Sequence, residues 1–283
     1  MKIHAIETGK VQITQSWRMG RGDGIGRMVH TLFDSEYTEW LPIYVWLIEH
    51  AEGLIVIDTG IPADANKRVL FPPFMPLIQR AARFKMAPEL EIGPQLRVLG
   101  FSPEDVRWVI LTHLHQDHDG GLHHFTKAEF LVSWQEWESA NGYKGRLNGY
   151  LNQRWPHWFQ PHLVPFDAAR FGPFSSHYRV TKSGDVHLVP TPGHSTGHLS
   201  VILNEEDRSI FFAGDASYSE KLLVARKADG IGINPKMQLE THRQILAYSQ
   251  ENPTVYLPSH DPDAKNRLEN RITVNNLTER SRK

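Results

Sequence analysis

From residue 113 the chain reads His113-Leu114-His115-Gln116-Asp117-His118-Asp119-Gly120-Gly121. Three imidazoles and a carboxylate in the order HxHxDH are costly to bury as packing and form a donor set suited to divalent cations. In an extended segment alternate side chains share a side, which pairs His113 with His115. The turn that follows brings Asp117 and His118 round to a second position, so that two neighbouring metals each take one pair. Four donors leave both ions under-ligated, and the chain supplies more at the ends of apolar runs. These are His194 in Pro192-Gly193-His194-Ser195-Thr196-Gly197-His198, Asp215 after Phe212-Ala213-Gly214, and His260 after Leu257-Pro258-Ser259. A carboxylate bridges two cations and a neutral imidazole does not, which suits Asp215 to the position between them. Hydrolytic two-metal sites hold their ions roughly 3.5–4 Å apart.

Short β-rich runs must present these groups. Trp108 to Thr112 reads as a buried strand directly before His113, and Phe130 to Val132, Val186 to Pro190, Leu199 to Leu203, Ile210 to Ala213 and Val255 to Pro258 read likewise. Ile43 to Glu49 and Leu54 to Ile57 form a hairpin about His50-Ala51-Glu52-Gly53, and the second strand ends at Asp58-Thr59-Gly60. Met75 to Met86 has helical spacing, and Pro94 to Phe101 is expected to be a second short helix. Ser102-Pro103-Glu104-Asp105 carries a helix-start signal of N-cap Ser, Pro and first-turn acids. The glycine-rich Gly20 to Gly26 reads as a flexible loop and a lip of the pocket, since it lacks the Gly-Lys-Ser/Thr ending of a phosphate loop. Lys265 to Lys283 reads as a solvated helix or tail.

The 31 Lys and Arg against 32 Asp and Glu give a net charge of −1, which argues against a nucleic-acid partner. The absence of cysteine removes the thiolate nucleophile, disulfides and sulfur-ligated metals, so a metal here binds nitrogen and oxygen. Histidine is the outlier, with 16 in 283 residues and five of them between His113 and His124. Of these, His123 and His124 read as helix or surface residues. No repeat divides the chain, and a single domain over residues 1–283 is expected, with an aromatic-rich helical and loop insertion at about 134–175. The N-terminal residues show no signal-peptide pattern and no run approaches the ~20 apolar residues of a membrane helix. A cytoplasmic protein with no membrane partner is the expectation.

HxHxDH, the Gly-His of PGHSTGH, the Gly-Asp of FAGDASY and the Ser-His of LPSH, in that order, resemble the metallo-β-lactamase superfamily. The resemblance implies an α/β fold, an αββα sandwich of two mixed sheets flanked by helices, with a dinuclear site at one edge. Carried over by position, His113, His115 and His194 hold the first metal, Asp117, His118 and His260 the second, and Asp215 bridges. Asp58 matches a residue that supports a ligand histidine from behind, and His198 reads as a hydrogen-bond partner rather than a ligand. Asp215 with His260 separates the chain from the true β-lactamases. Tyr218, three residues after Asp215, is similar to a tyrosine of the N-acyl-homoserine lactonases that meets the substrate carbonyl.

The implied activity is quorum-quenching lactonase chemistry: a hydroxide shared by two divalent ions attacks the lactone carbonyl of an N-acyl-homoserine lactone. Tyr218 and Asp117 are the expected catalytic side chains, Tyr218 as donor to the oxyanion and Asp117 as the group passing a proton to the alkoxide. Zinc leads as the metal, with cobalt, manganese and iron also suited to imidazole and carboxylate. Trp17, Met19, Met28, Trp134, Trp137, Tyr143, Trp155 and Trp158 are the expected acyl-chain wall, although the aromatic segment equally suits the core of an irregular region. The rivals are a glyoxalase II-like thioesterase or a phosphotriesterase on the same metals, and a metal-binding sensor or interaction protein without turnover. A phosphate- or glutathione-bearing substrate wants basic residues at the mouth, for which Lys221, Arg226 and Lys227 are the visible candidates. A homodimer is expected from the resemblance alone.

Overall fold

The computed structural model describes residues 1–66, 80–166 and 169–274. Twelve strands form two sheets among these residues. The first has seven strands in the order β4-β1-β2-β3-β5-β6-β7: β1 (Lys2–Ile13), β2 (Leu41–Glu49), β3 (Leu54–Ile57), β4 (Ala82–Lys85), β5 (Val106–Ile110), β6 (Glu129–Ser133) and β7 (His162–Val164). The second runs β12-β11-β10-β9-β8: β8 (Tyr178–Arg179), β9 (Val186–Pro190), β10 (Leu199–Asn204), β11 (Ser209–Gly214) and β12 (Thr254–Pro258). Both are mixed, since β3, β5, β6 and β7 run parallel beside an antiparallel β1, β2 and β4, and β12 joins an antiparallel set in parallel with β11.

Strand parity sorts the apolar side chains into layers. Trp46, Ile48, Ile55, Ile57, Trp108, Ile110 and Leu131 of the first sheet meet Val186, Leu188, Leu199, Val201, Ile210, Phe212, Val255 and Leu257 of the second. The residues between them, Val45, Leu47, Val56, Val109, Phe130 and Val132, point the other way. They are covered by Ile92 and Leu96 of one helix (Ile92–Val98), Ala140 of another (Trp134–Ala140), and Phe125, Tyr150 and Phe159 from loops. Behind the second sheet, Val189, Ile202, Phe211, Ala213 and Tyr256 are covered by Leu223 (helix Glu220–Val224) and by Ile245 and Tyr248 (helix Pro235–Glu251). Period-two alternation with both faces apolar is what a sheet buried on both sides requires. The arrangement is the expected αββα sandwich.

Three local readings change. Met75 to Met86 is not a continuous helix: residues 67–79 lie outside the described residues, and Ala82–Lys85 is the edge strand β4, paired antiparallel with β1 through Lys10↔Lys85 and Val11↔Phe84. Gly20 to Gly26 is only partly a loop, because a helix runs from Gly24 to Phe33. Thr31 anchors it, with its hydroxyl 3.1 Å from the Gly230 carbonyl. The segment after Ser102 is one 3-10 turn (Pro103–Asp105), with Ser102 and Asp105 capping each other. No helix among the described residues is long and apolar enough to cross a membrane.

Candidate metal centre

Parallel strands end on the same side of a sheet, and ligand-bearing loops gather there. Residue 58 follows β3 and Thr112 follows the neighbouring β5, so Asp58 Oδ1 accepts from the Thr112 N–H at 2.8 Å and its carboxylate also receives the Thr112 hydroxyl. Asp58 adopts φ +61, a left-handed conformation that costs a non-glycine residue of order 1–3 kcal/mol. The conformation places Asp58 Oδ2 2.8 Å from His118 Nδ1. In the second sheet β11 and β12 are parallel, and the Ser259 N–H donates to the Gly214 carbonyl, setting His260 beside Asp215. Gly214 lies at φ +53, where a Cβ would come within 2.8 Å of both Thr112 and His198, so the two sheets close on each other here only over a glycine.

The seven donors converge. His113 Nε2 is 3.0 Å and His194 Nε2 3.1 Å from His115 Nδ1, forming one cluster. Asp117, His118 and His260 form a second, with His260 Nε2 3.5 Å from Asp117 Oδ2 and His118 Nε2 3.9 Å from Asp117 Oδ1. Asp215 stands between them: Oδ1 lies 3.3 Å from His260 Nε2 and 3.5 Å from His118 Nε2, and Oδ2 lies 3.5 Å from His194 Nε2. His118 Nε2 and Asp215 Oδ1 are buried without a protein hydrogen-bond partner, an arrangement that costs free energy unless a cation meets them. Buried His and Asp clusters of this form fit a two-metal site.

Three of the five imidazoles are fixed from the far side of the ring. Asp58 holds His118 Nδ1, Asp229 Oδ2 lies 2.9 Å from His194 Nδ1, and the Pro42 carbonyl lies 2.9 Å from His260 Nδ1. Carboxylate and carbonyl partners keep the proton on Nδ1 and aim the Nε2 lone pair inward. His198 Nε2 accepts from the Asp215 N–H at 3.0 Å, so its lone pair holds the Asp215 backbone rather than facing the clusters. Burial, helped by neighbouring imidazoles, holds His113 and His115 well below the ordinary histidine range, in the neutral form a cation binds. Burial alone would raise the Asp215 carboxyl, but His260 and His118 outweigh it and keep it well below the usual carboxylate range.

Two carboxylates of this network carry no motif in the sequence. Asp229, in the turn Asp229-Gly230-Ile231-Gly232, also receives the Gln238 amide at 2.6 Å and the Ile231 N–H. Glu136 is buried behind the loops, accepting from the Leu114 N–H, the Gly197 N–H and the Ser195 hydroxyl. It ties the loop carrying His113 to the loop carrying His194. Replacing Asp229 with alanine is expected to weaken the metal held through His194 by about 10- to 100-fold; competition against a chelator of known affinity measures it, and unchanged affinity would remove Asp229 from this role.

A cleft of about 970 Å³ opens over the clusters, lined by His115, Asp117, His194, Asp215 and His260 at its floor. Tyr218 also lines it, stacked on His260 with ring centroids 5.4 Å apart and an interplanar angle of 21°. The indole N–H of Trp17 donates to the Tyr218 hydroxyl at 2.9 Å, so Trp17 directs the phenol as well as walling the cleft. Val11, Ile13, Ala82, Phe84, Met28 and Leu32 make an apolar arm from β1, β4 and the helix Gly24–Phe33. Among the described residues Arg27 is the one Lys or Arg of the lining; Lys221, Arg226 and Lys227 are exposed elsewhere.

The expected aromatic wall needs correcting. Trp17 and Met28 line the cleft, but Met19, Trp134, Trp137, Tyr143, Trp155 and Trp158 do not. Trp137 and Trp155 stack on each other at 5.2 Å and pack with Trp158 against the core behind the first sheet. Met19, Trp134 and Tyr143 are exposed. Trp155 instead donates to Asp119 Oδ2 at 2.6 Å, while burial pushes the Asp119 carboxyl up to about 8. What this segment gives the cleft is one aromatic residue, Tyr150, with Ser139, Asn148 and Gly149, polar or small residues that an aromatic count passes over.

The sequence profile of the metallo-beta-lactamase superfamily matches residues 38–270. The chain is similar to an N-acyl homoserine lactonase of Bacillus thuringiensis, 28% identical over 229 residues that cover 78% of this chain and 82% of the relative. It is also similar to a probable metallo-hydrolase of Mycobacterium tuberculosis, 30% identical over 227 residues covering 78% and 71% of the two chains. Among solved structures, an N-acyl homoserine lactone hydrolase with the product N-hexanoyl-L-homoserine bound at its catalytic metal center superposes with a TM-score of 0.76 at 25% identity, covering 94% of this chain and 95% of that one.

Proposed function

The chain belongs to the metallo-β-lactamase superfamily, and on that premise we propose that this metal-dependent hydrolase opens the lactone ring of N-acyl-homoserine lactones. The observation that carries the proposal is the Tyr218 phenol, held by Trp17 over the clusters at the inner end of an apolar arm. His113, His115 and His194 would hold one ion and Asp117, His118 and His260 the other, with Asp215 between them. Divalent ions so paired lower the pKa of water from 15.7 to about 7 and polarise an ester carbonyl. Tyr218 receives its hydrogen bond from Trp17, which leaves the phenol proton free to meet the carbonyl oxygen as negative charge develops there. Burial pushes the Tyr218 pKa above its ordinary value of about 10, so the phenol is a donor near neutral pH. Water adds to the acyl carbon and gives up a proton to Asp117, which lines the cleft; the ring C–O bond then breaks and Asp117 passes that same proton to the departing alkoxide.

The apolar arm suits an acyl chain, as a relative holding N-hexanoyl-L-homoserine suggests. The exposed positions of Lys221, Arg226 and Lys227 away from the cleft weigh against a phosphate- or glutathione-bearing substrate. Hydrolysis of short- and long-chain N-acyl-homoserine lactones, a thioester and a phosphotriester, each followed by proton release, tests the reading. Lactones are expected to lead in kcat/KM by orders of magnitude; a thioester or phosphotriester in the lead overturns it.

A further inference from the structure

We propose that the chain carries a third divalent-metal site, separate from the clusters of the cleft, formed by Glu91, His123 and His124. Glu91 immediately precedes the helix Ile92–Val98, and the two histidines lie on the 3-10 turn Leu122–His124 that follows the His113–Gly121 loop. His124 Nε2 is 2.9 Å and His123 Nε2 3.5 Å from the same oxygen, Glu91 Oε2, and the donor atoms of all three residues lie within 4.8 Å of one another. A tetrahedral ion with bonds of about 2.0–2.1 Å places its ligand atoms roughly 3.3 Å apart. The two observed separations fall on either side of that value.

The surroundings fit a ligand set better than a chance surface contact. Glu91 Oε1 is tied off by the Ala63 N–H at 2.6 Å, which fixes the carboxylate and leaves Oε2 for the histidines. The His124 ring lies against Gly93, where a Cβ would come within 2.4 Å of Nδ1, so the helix start is hollowed to admit the imidazole. Burial lowers the affinity of His124 for a proton and keeps it in the form that donates a lone pair. His123 is half exposed, and with Glu91 it borders a separate cavity of about 280 Å³ that Asp119 and Trp155 also line. Three protein ligands beside an open cavity describe a site with a position free for water or a small anion. Two imidazoles and one carboxylate select zinc, nickel or cobalt over magnesium or calcium.

The test is ion counting on the two-metal enzyme, titrated with Zn²⁺ by equilibrium dialysis with elemental analysis. Wild type is expected to take up a third equivalent that Mg²⁺ does not displace. His123→Ala, at an exposed position where folding is not at stake, and Glu91→Gln are each expected to weaken that equivalent by about 100-fold or more while both ions of the cleft are retained. A wild-type titration that ends at two ions overturns the proposal, as does a third equivalent that persists in both variants or yields to Mg²⁺.

Discussion

Asp215→Asn is expected to cost about 10³-fold or more in kcat/KM and to lower bound metal from two ions toward one. The substitution keeps volume and shape, so the loss comes from charge. Asp215 Oδ1 lies within 3.5 Å of His118 and His260 Nε2, and Oδ2 is 3.5 Å from His194 Nε2. These imidazoles are buried, and their inward nitrogens face one another with this carboxylate between them. An asparagine presents two N–H donors or one neutral oxygen to the same space, and neither arrangement offsets a second cation beside the first. The cost is therefore electrostatic and cannot be absorbed by a small shift of the loop, because the Ser259 N–H holds the crowded Gly214 and His198 Nε2 holds the Asp215 N–H. Elemental analysis of the purified variant with steady-state rates checks both halves. Two retained ions and activity within tenfold of wild type would remove Asp215 from the bridging position.

The histidines and aspartates that cluster at the cleft floor were legible because strand ends announce themselves. An apolar run of four or five residues that stops at His113, Asp215 or His260 defines both the element and the end of the sheet to which it delivers its polar group. The strands β5, β9, β10, β11 and β12 fall within two residues of their expected limits for the same reason. Where two periods compete, the reading fails. Ala82 and Phe84 alternate with Arg83 and Lys85 as in a strand, but four residues are too few to separate period 2 from 3.6, and only pairing with β1 settles it. The helix Gly24–Phe33 was hidden by its glycines, whose intrinsic cost of about 1 kcal/mol each argues against helix. Tertiary contacts override that cost through Thr31, which bonds the Gly230 carbonyl across the fold.

The groups that hold the ligands from behind were the least legible. Asp58 was visible only through its place in a motif, and Asp229 had no such place. It sits 35 residues from His194 in the chain and meets it only through the tertiary fold. The aromatic segment shows the converse error. Its tryptophans signal a large buried surface, but composition does not say which side of the sheet they cover, and most of them went to the core behind the first sheet. The cleft's apolar arm comes instead mostly from aliphatic residues of β1, β4 and the Gly24–Phe33 helix, with Phe84 among them, and of these only Met28 was expected.

Tyr218→Phe separates the proposed lactone chemistry from the metal centre itself. The change removes one hydroxyl and leaves the ring to stack on His260 as before, so both ions are expected to stay while kcat falls by about 10²- to 10³-fold, the usual cost of one oxyanion donor. KM is expected to change little, because the hydrogen bond strengthens only as charge develops on the carbonyl oxygen. One complication is the Trp17 indole N–H, which loses its acceptor and becomes a buried unpaired donor at a cost of about 1–3 kcal/mol. A parallel Trp17→Phe variant resolves it: the phenol remains but is no longer directed, and a loss of about tenfold in kcat is expected, well short of that of Tyr218→Phe. If Tyr218→Phe hydrolyses lactones within threefold of wild type with both ions present, the phenol is not the donor, and carbonyl stabilisation must come from elsewhere in the cleft. If instead its loss tracks a loss of metal, Tyr218 acts through the packing of His260 and not on the substrate.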